Sequence, residues 1–178
     1  MSTQLITITE SGMCFGPFER SRCFHIEKSK VYGTIRNYGV KMVEFLLLRT
    51  NDNTISNKIL EIWIVEAKST PPRDDNEIGA IRDKLINALS LGLASALERH
   101  PQFKSELPSA FTEISLSQVQ VKFALVMRDH PESDLEQLEE TLEKELRPTI
   151  RTWDFGPNSV AVLNEALARE NGLIDATP

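Results

Sequence analysis

The segment Ile59-Leu60-Glu61-Ile62-Trp63-Ile64-Val65-Glu66-Ala67-Lys68-Ser69 decides the fold. It is rich in β-branched and aromatic residues and is closed by Pro71-Pro72, so it reads as a strand with a defined end. Side chains two apart share a face of a strand. One face carries Leu60, Ile62, Ile64, Glu66 and Lys68, and the other carries Ile59, Glu61, Trp63, Val65, Ala67 and Ser69. Trp63, opposite Glu66, is expected in the core. Upstream, residues 40–49 (VKMVEFLLLR) form a run of the same kind, followed by a turn signal at Asn51-Asp52-Asn53. Two such runs joined by a polar loop predict an antiparallel pair.

Working outward, residues 5–9 alternate and predict a short strand, while 119–127 and 159–163 predict two more. A helix is predicted over 18–37, with Phe24, Val31, Ile35 and Tyr38 on one stripe and Gly39 as its stop. A second helix, capped by Asp74-Asp75-Asn76, is predicted to about Arg99, with Ile78, Ile81, Leu85, Leu89, Leu93 and Ala96 inward. Pro101 and Pro108 mark a loop. Residues 132–153 predict a charged helix weakened or ended near Pro148, and 165–171 a last turn or two before Gly172. Strands alternating with helices predict a single α/β domain over 1–178, with a central mixed β-sheet flanked by helices.

The chain has 178 residues, of which 40% are hydrophobic and 26% charged, which excludes full disorder. Its long apolar runs, such as Phe45-Leu46-Leu47-Leu48, fall far short of the ~20 residues a membrane span needs. Met1-Ser2-Thr3-Gln4 shows no basic or apolar leader pattern, and Cys14 and Cys23 are too few for a disulfide scaffold. A cytoplasmic protein with reduced thiols, away from membranes, is the expectation. The net charge of −6 disfavours a protein that coats nucleic acid by bulk charge. The charge is uneven, however. Residues 20–49 hold seven lysines and arginines against Glu27 and Glu44, whereas 129–145 hold eight acids against Lys144. The acidic stretch reads as a solvated helix face, and the basic one as a positive face on an acidic body.

Three acids fall where core residues belong. Glu66 follows seven residues of strand, whose members on its own face, Leu60, Ile62 and Ile64, are all apolar. Glu44 shares a face with Val40, Met42, Leu46 and Leu48, and an acid there is costly to bury unless it is paired or binds a metal. Glu27 sits beside Phe24 and Val31 on the predicted helical stripe. Converging carboxylates are hard oxygen ligands suited to Mg²⁺ or Mn²⁺. An ion held this way lowers the pKa of a bound water and neutralises phosphate charge, and Lys68 beside it can orient that water. Each residue also has a plainer reading: a Glu66–Lys68 ion pair at a strand end, Glu44 as an edge-strand guard against aggregation, and Glu27 as a solvated helix residue. His25, His100 and His130 show no zinc-ligand spacing with the cysteines, and no Gly-x-x-x-x-Gly-Lys loop is present.

An acid on one strand of a hairpin, Glu-X-Lys on the next and a glutamate before them resemble the PD-(D/E)XK nuclease superfamily, the restriction-endonuclease-like fold. Glu66-Ala67-Lys68 would be the (D/E)XK element, Glu44 the acid of the first strand and Glu27 the helix glutamate. The resemblance covers roughly residues 20–130 and leaves a C-terminal βα extension over 131–178. It departs from the family in lacking Pro-Asp, the first acid being the Glu of MVEF. It implies a metal-dependent nuclease cleaving DNA in preference to RNA, with Glu44, Glu66 and Glu27 on Mg²⁺ or Mn²⁺ and Lys68 acting on the water. Lys28, Lys30, Arg36 and Lys41 would meet backbone phosphates. A homodimer or a larger complex would supply binding and target choice, as for an effector of a bacterial defence system. The competing expectation is a catalytically inactive module of the same fold, serving assembly or nucleic-acid binding.

Overall fold

Apolar alternation builds a sheet with two covered faces. The computed structural model describes residues 4–51 and 59–175. In chain order it contains strands β1 (Leu5–Glu10), β2 (Met13–Glu19) and β3 (Cys23–Phe24), helix α1 (Lys30–Ile35), and strands β4 (Phe45–Asn51) and β5 (Ile59–Lys68). Helices α2 (Asp75–Ala96) and α3 (Ser109–Glu113) follow, then strand β6 (Val119–Met127), helix α4 (Leu135–Trp153), strand β7 (Val160–Asn164) and helix α5 (Glu165–Glu170). Of the turn expected at Asn51-Asp52-Asn53, all but Asn51 lies outside the described residues.

Among the described residues, β3-β4-β5-β6-β7 form one sheet in that order, and β1 and β2 form a separate hairpin. Strand β4 runs antiparallel to β3 and β5, whereas β5, β6 and β7 are parallel. The expected mixed sheet with helices on it is therefore present. The parallel step from β5 to β6 needs a long crossover, and α2 supplies it. Asp74 caps α2 as its sequence predicts, its Oδ1 accepting the Glu77 N–H at 2.9 Å.

The two strand faces pack into separate cores. Leu46, Leu48, Ile62 and Ile64 meet Ile81 and Leu85 of α2 and Leu142 of α4. Phe45, Leu47, Trp63 and Val65 meet Ile8, Met13 and Phe15 of the hairpin and Ala168 of α5. Glu44 and Glu66 have the parity of the first set, so they belong to the α2 side of the sheet. No helix among the described residues is long and apolar enough to cross a membrane.

Several expectations are corrected. The helix predicted over 18–37 is not one element. Its first part belongs to β2 and β3, and only Lys30–Ile35 is α-helical, with short 3₁₀ turns over Ile26–Lys28 and Arg36–Tyr38. The cause is local. Ser29 is an N-cap whose Oγ accepts the Tyr32 N–H at 3.1 Å, which fixes the helix start after the supposed stripe has begun. Cys23 and Phe24 instead pair with Leu47 and Leu46 of β4. Tyr38, expected on the buried stripe, is 84% exposed. Strand β2 is not among the predicted strands, because Gly16 and Pro17 interrupt its alternation and Gly12 stands just before it. Ser11 and Gly12 both have positive φ, 51° and 77°, between the paired residues Glu10 and Met13, which is the geometry of a two-residue hairpin turn. Strand β4 starts at Phe45 and not at residue 40, so Glu44 lies just ahead of it. Helix α4 runs through Pro148 to Trp153, and the loop between Pro101 and Pro108 is a 3₁₀ turn over Pro101–Glu106.

Candidate active site at the end of strand β5

Glu66 is the buried centre of the site. It is 0% exposed, near the end of β5. Its Oε1 accepts a hydrogen bond from Lys84 Nζ at 2.6 Å, while its Oε2 is buried with no hydrogen-bond partner. Burial pushes its carboxyl up from the ordinary range, with the charges of Lys84 and Lys68 pulling the other way. Glu44 comes beside it through the β4–β5 ladder. The Glu44 N–H donates to Val65 O at 3.1 Å, extending the register that pairs Phe45 with Val65. Glu44 is 6% exposed, and its Oε2 is also buried without a partner. Burial first, then the charges of Glu66, Glu27 and Glu10, push its carboxyl up to about 8. A buried carboxyl whose affinity for a proton is raised by a neighbouring carboxylate makes a site that calls for a cation.

Lys84 is the residue that sequence reasoning missed. Burial on α2 works to lower its pKa, but the charge and hydrogen bond of Glu66, with Glu44 and Glu27, carry it above the ordinary lysine value. Its position three residues after Ile81 and four before Ala88, both buried, puts a charge beside the apolar stripe of α2. That placement is the one trace it leaves in the sequence, and it is an ordinary one for a lysine. Lys68 stands half-buried at the end of β5, where its charge acts on Glu66. It is Lys84, and not Lys68, that holds Glu66 by a hydrogen bond.

Glu27 lies on the 3₁₀ turn and not on a helical stripe; Ile26 is the buried residue there. Its N–H points to Glu44 O at 3.5 Å, and its half-buried carboxylate pairs with Lys28 Nζ at 3.3 Å. Two further residues join it. One ligand atom each from Glu10, His25 and Glu27 lie within 4.8 Å of one another. Of the basic residues predicted to meet phosphate, Lys28 reaches this group, also lying 3.9 Å from Glu10. Lys30, Arg36 and Lys41 are exposed, on α1, the following 3₁₀ turn and the segment before β4. The Lys30 N–H is held by Glu106 Oε2 at 2.9 Å, and Lys41 O accepts from Asn87 Nδ2 at 3.0 Å.

The donor set fits a hard divalent cation. Two buried carboxylate oxygens, Glu44 Oε2 and Glu66 Oε2, lack partners, and an isolated buried acceptor is costly. Cys14 and Cys23 are free thiols and do not take part. No protein-family model, curated protein or solved structure matches this chain.

Proposed function

We propose that this chain is a metal-dependent nuclease that hydrolyses phosphodiester bonds, of DNA in preference to RNA. One observation carries the reading: Glu44 and Glu66, both buried and each with an unpartnered oxygen, come together beside two lysines at one end of the sheet. The order of elements supports it. An acid precedes Phe45 of β4, Glu66-Ala67-Lys68 ends the antiparallel β5, and a helix then leads to the parallel β6. That succession is the one the resemblance to the PD-(D/E)XK superfamily implies.

Glu44 and Glu66 would hold Mg²⁺ or Mn²⁺, with Glu27 assisting. Such an ion, when bound, lowers the pKa of a coordinated water and neutralises charge on the phosphate. Lys84 is a positioning residue: its charge opposes the effect of burial on Glu66, and its hydrogen bond fixes one of the carboxyl oxygens. Lys68, unheld by Glu66, is free to orient the attacking water. Lys30, Arg36 and Lys41 would meet the backbone phosphates beside the cleaved bond, contacts that set register without reading sequence. The acidic remainder of the chain calls for a second copy or a larger complex to complete the grip, as in an effector of a defence system.

The test is a panel of linear and circular duplex DNA, single-stranded DNA and RNA, each with Mn²⁺, Mg²⁺ or EDTA. Cleavage that needs the cation and is lost in Lys68→Ala, with Mn²⁺ affinity unchanged, supports the roles assigned. A cation-dependent cleavage undiminished by Lys68→Ala would remove the lysine from the chemistry. No cleavage of any of these substrates would contradict the reading as a nuclease.

A further inference from the structure

The β1–β2 hairpin stands outside the central sheet, yet its turn is fastened to the strand end that carries Glu66. Ser11 Oγ donates to Ala67 O at 3.0 Å. The Arg128 guanidinium fills the space where a side chain at Gly12 would begin, and the Arg128 N–H donates to Lys68 O at 2.8 Å. This clamp delivers Glu10, the last residue of β1, to His25 and Glu27 on the core side.

The resulting group has unmet coordination. The Nε2 of His25 is shut from solvent and has no hydrogen-bond partner; Glu10 Oε1 is 4.0 Å away, too far to accept one. Glu44, more than nine-tenths buried, adjoins the group, its backbone carbonyl facing the Glu27 N–H at 3.5 Å. Lys28 is the cation now facing Glu10 and Glu27, and its side chain is 62% exposed, so water can take its place there.

We propose that Glu10, His25 and Glu27 form a second divalent-cation site, adjoining the Glu44–Glu66 pair and selective for a transition ion such as Mn²⁺, Co²⁺ or Zn²⁺ over Mg²⁺. An imidazole nitrogen with two carboxylate oxygens is the ligand type that such ions prefer, whereas Mg²⁺ takes oxygen alone. Three protein donors leave further coordination positions for water or a phosphate oxygen. Because Glu10 comes from the hairpin and the other two ligands from the core, an ion here also ties the two together. The site extends the proposed nuclease reading but does not require that the chain cleave anything.

The experiment is a Zn²⁺ titration of the full chain, followed by nitrogen NMR of its three histidines, with thermal melting in parallel. The expected result is a coordination shift of a His25 ring nitrogen, with His100 and His130 unmoved. Zn²⁺ should raise the melting temperature of the wild type, and that rise should shrink in Glu10→Gln and in His25→Gln. Calorimetry with Mn²⁺ should count two sites per chain in the wild type and one in Glu10→Gln. A His25 nitrogen that does not respond to Zn²⁺ in the wild type would overturn the proposal, with no variant needing to fold. Equal Mn²⁺ stoichiometry and affinity in wild type and folded Glu10→Gln would overturn it as well. Neither result bears on cleavage, so failure of this site and failure of the nuclease reading are separable.

Discussion

Glu44 and Glu66 were legible in the sequence and Lys84 was not, for a physical reason. Strand parity is strict, so an acid among apolar residues of one face announces itself even when the strand boundary is wrong, as it was at residue 40. A lysine on a helix border is ordinary, because its long stem covers apolar surface while its head reaches water. Only the tertiary fold shows that the Lys84 head turns to Glu66. The raised Glu44 carboxyl has a stability consequence. Its value in the folded chain, about 8, exceeds the ordinary 4.5, so folding favours the protonated form. Its contribution is fully present below about pH 4.5 and is lost as pH rises towards 8. With cations removed by EDTA, the wild type should therefore lose stability relative to Glu44→Gln between pH 5 and 8, by a few kcal/mol at most. His25, held below 6.5 by burial, works in the opposite sense, which is why the difference between the two proteins is the informative quantity. Denaturant melts at each pH measure it, and a constant difference would mean that Glu44 titrates normally.

At the scale of elements, runs of period two were read correctly in β5 and β6, while the N-terminal third was misread. Strands β2 and β3 are short, and β2 contains Gly16 and Pro17, so neither gives a long enough pattern to outweigh the helical spacing of Phe24, Val31 and Ile35. Long-range pairing of Cys23 and Phe24 with β4 overrode that spacing, as tertiary contacts override propensity. The hairpin thus went unseen, although Ser11-Gly12 was its turn. Gly12 has φ of 77°, a conformation that costs other residues about 1 kcal/mol, and the Arg128 guanidinium lies against it. Gly12→Ala should destabilise the chain by about 1–2 kcal/mol and loosen the hairpin from Ala67. Urea melts give the first effect, and hydrogen exchange at the amides of β1 and β2 gives the second. Wild-type exchange in a destabilised variant would show that the turn does not fasten the hairpin.

Across the whole molecule, the charge asymmetry read from sequence acquires a division of labour. Helix α4 carries most of the acidic run, but not all of it is solvated: Glu139 Oε2 accepts the Val162 N–H at 2.9 Å and covers the outer edge of β7. Glu140 and Glu143 are exposed. If the α1 region grips phosphates, Lys30→Glu with Arg36→Glu should weaken DNA binding for every sequence. The slope of log affinity against log salt should become shallower by about one to two units. Glu140→Lys with Glu143→Lys should leave the slope nearly unchanged. Equal effects from both pairs would mean that bulk charge and not a phosphate face governs binding.

The central claim is that the buried Glu44–Glu66 pair holds the cation that cleaves phosphodiesters. Its most direct measurement is the rate of DNA cleavage in Mn²⁺ by wild type and by Glu66→Gln, at matched protein folding checked by circular dichroism. The substitution keeps the shape of the side chain and removes its charge. The account predicts a loss of about a hundredfold or more in rate, together with weaker Mn²⁺ binding. Cleavage at the wild-type rate by folded Glu66→Gln would contradict it.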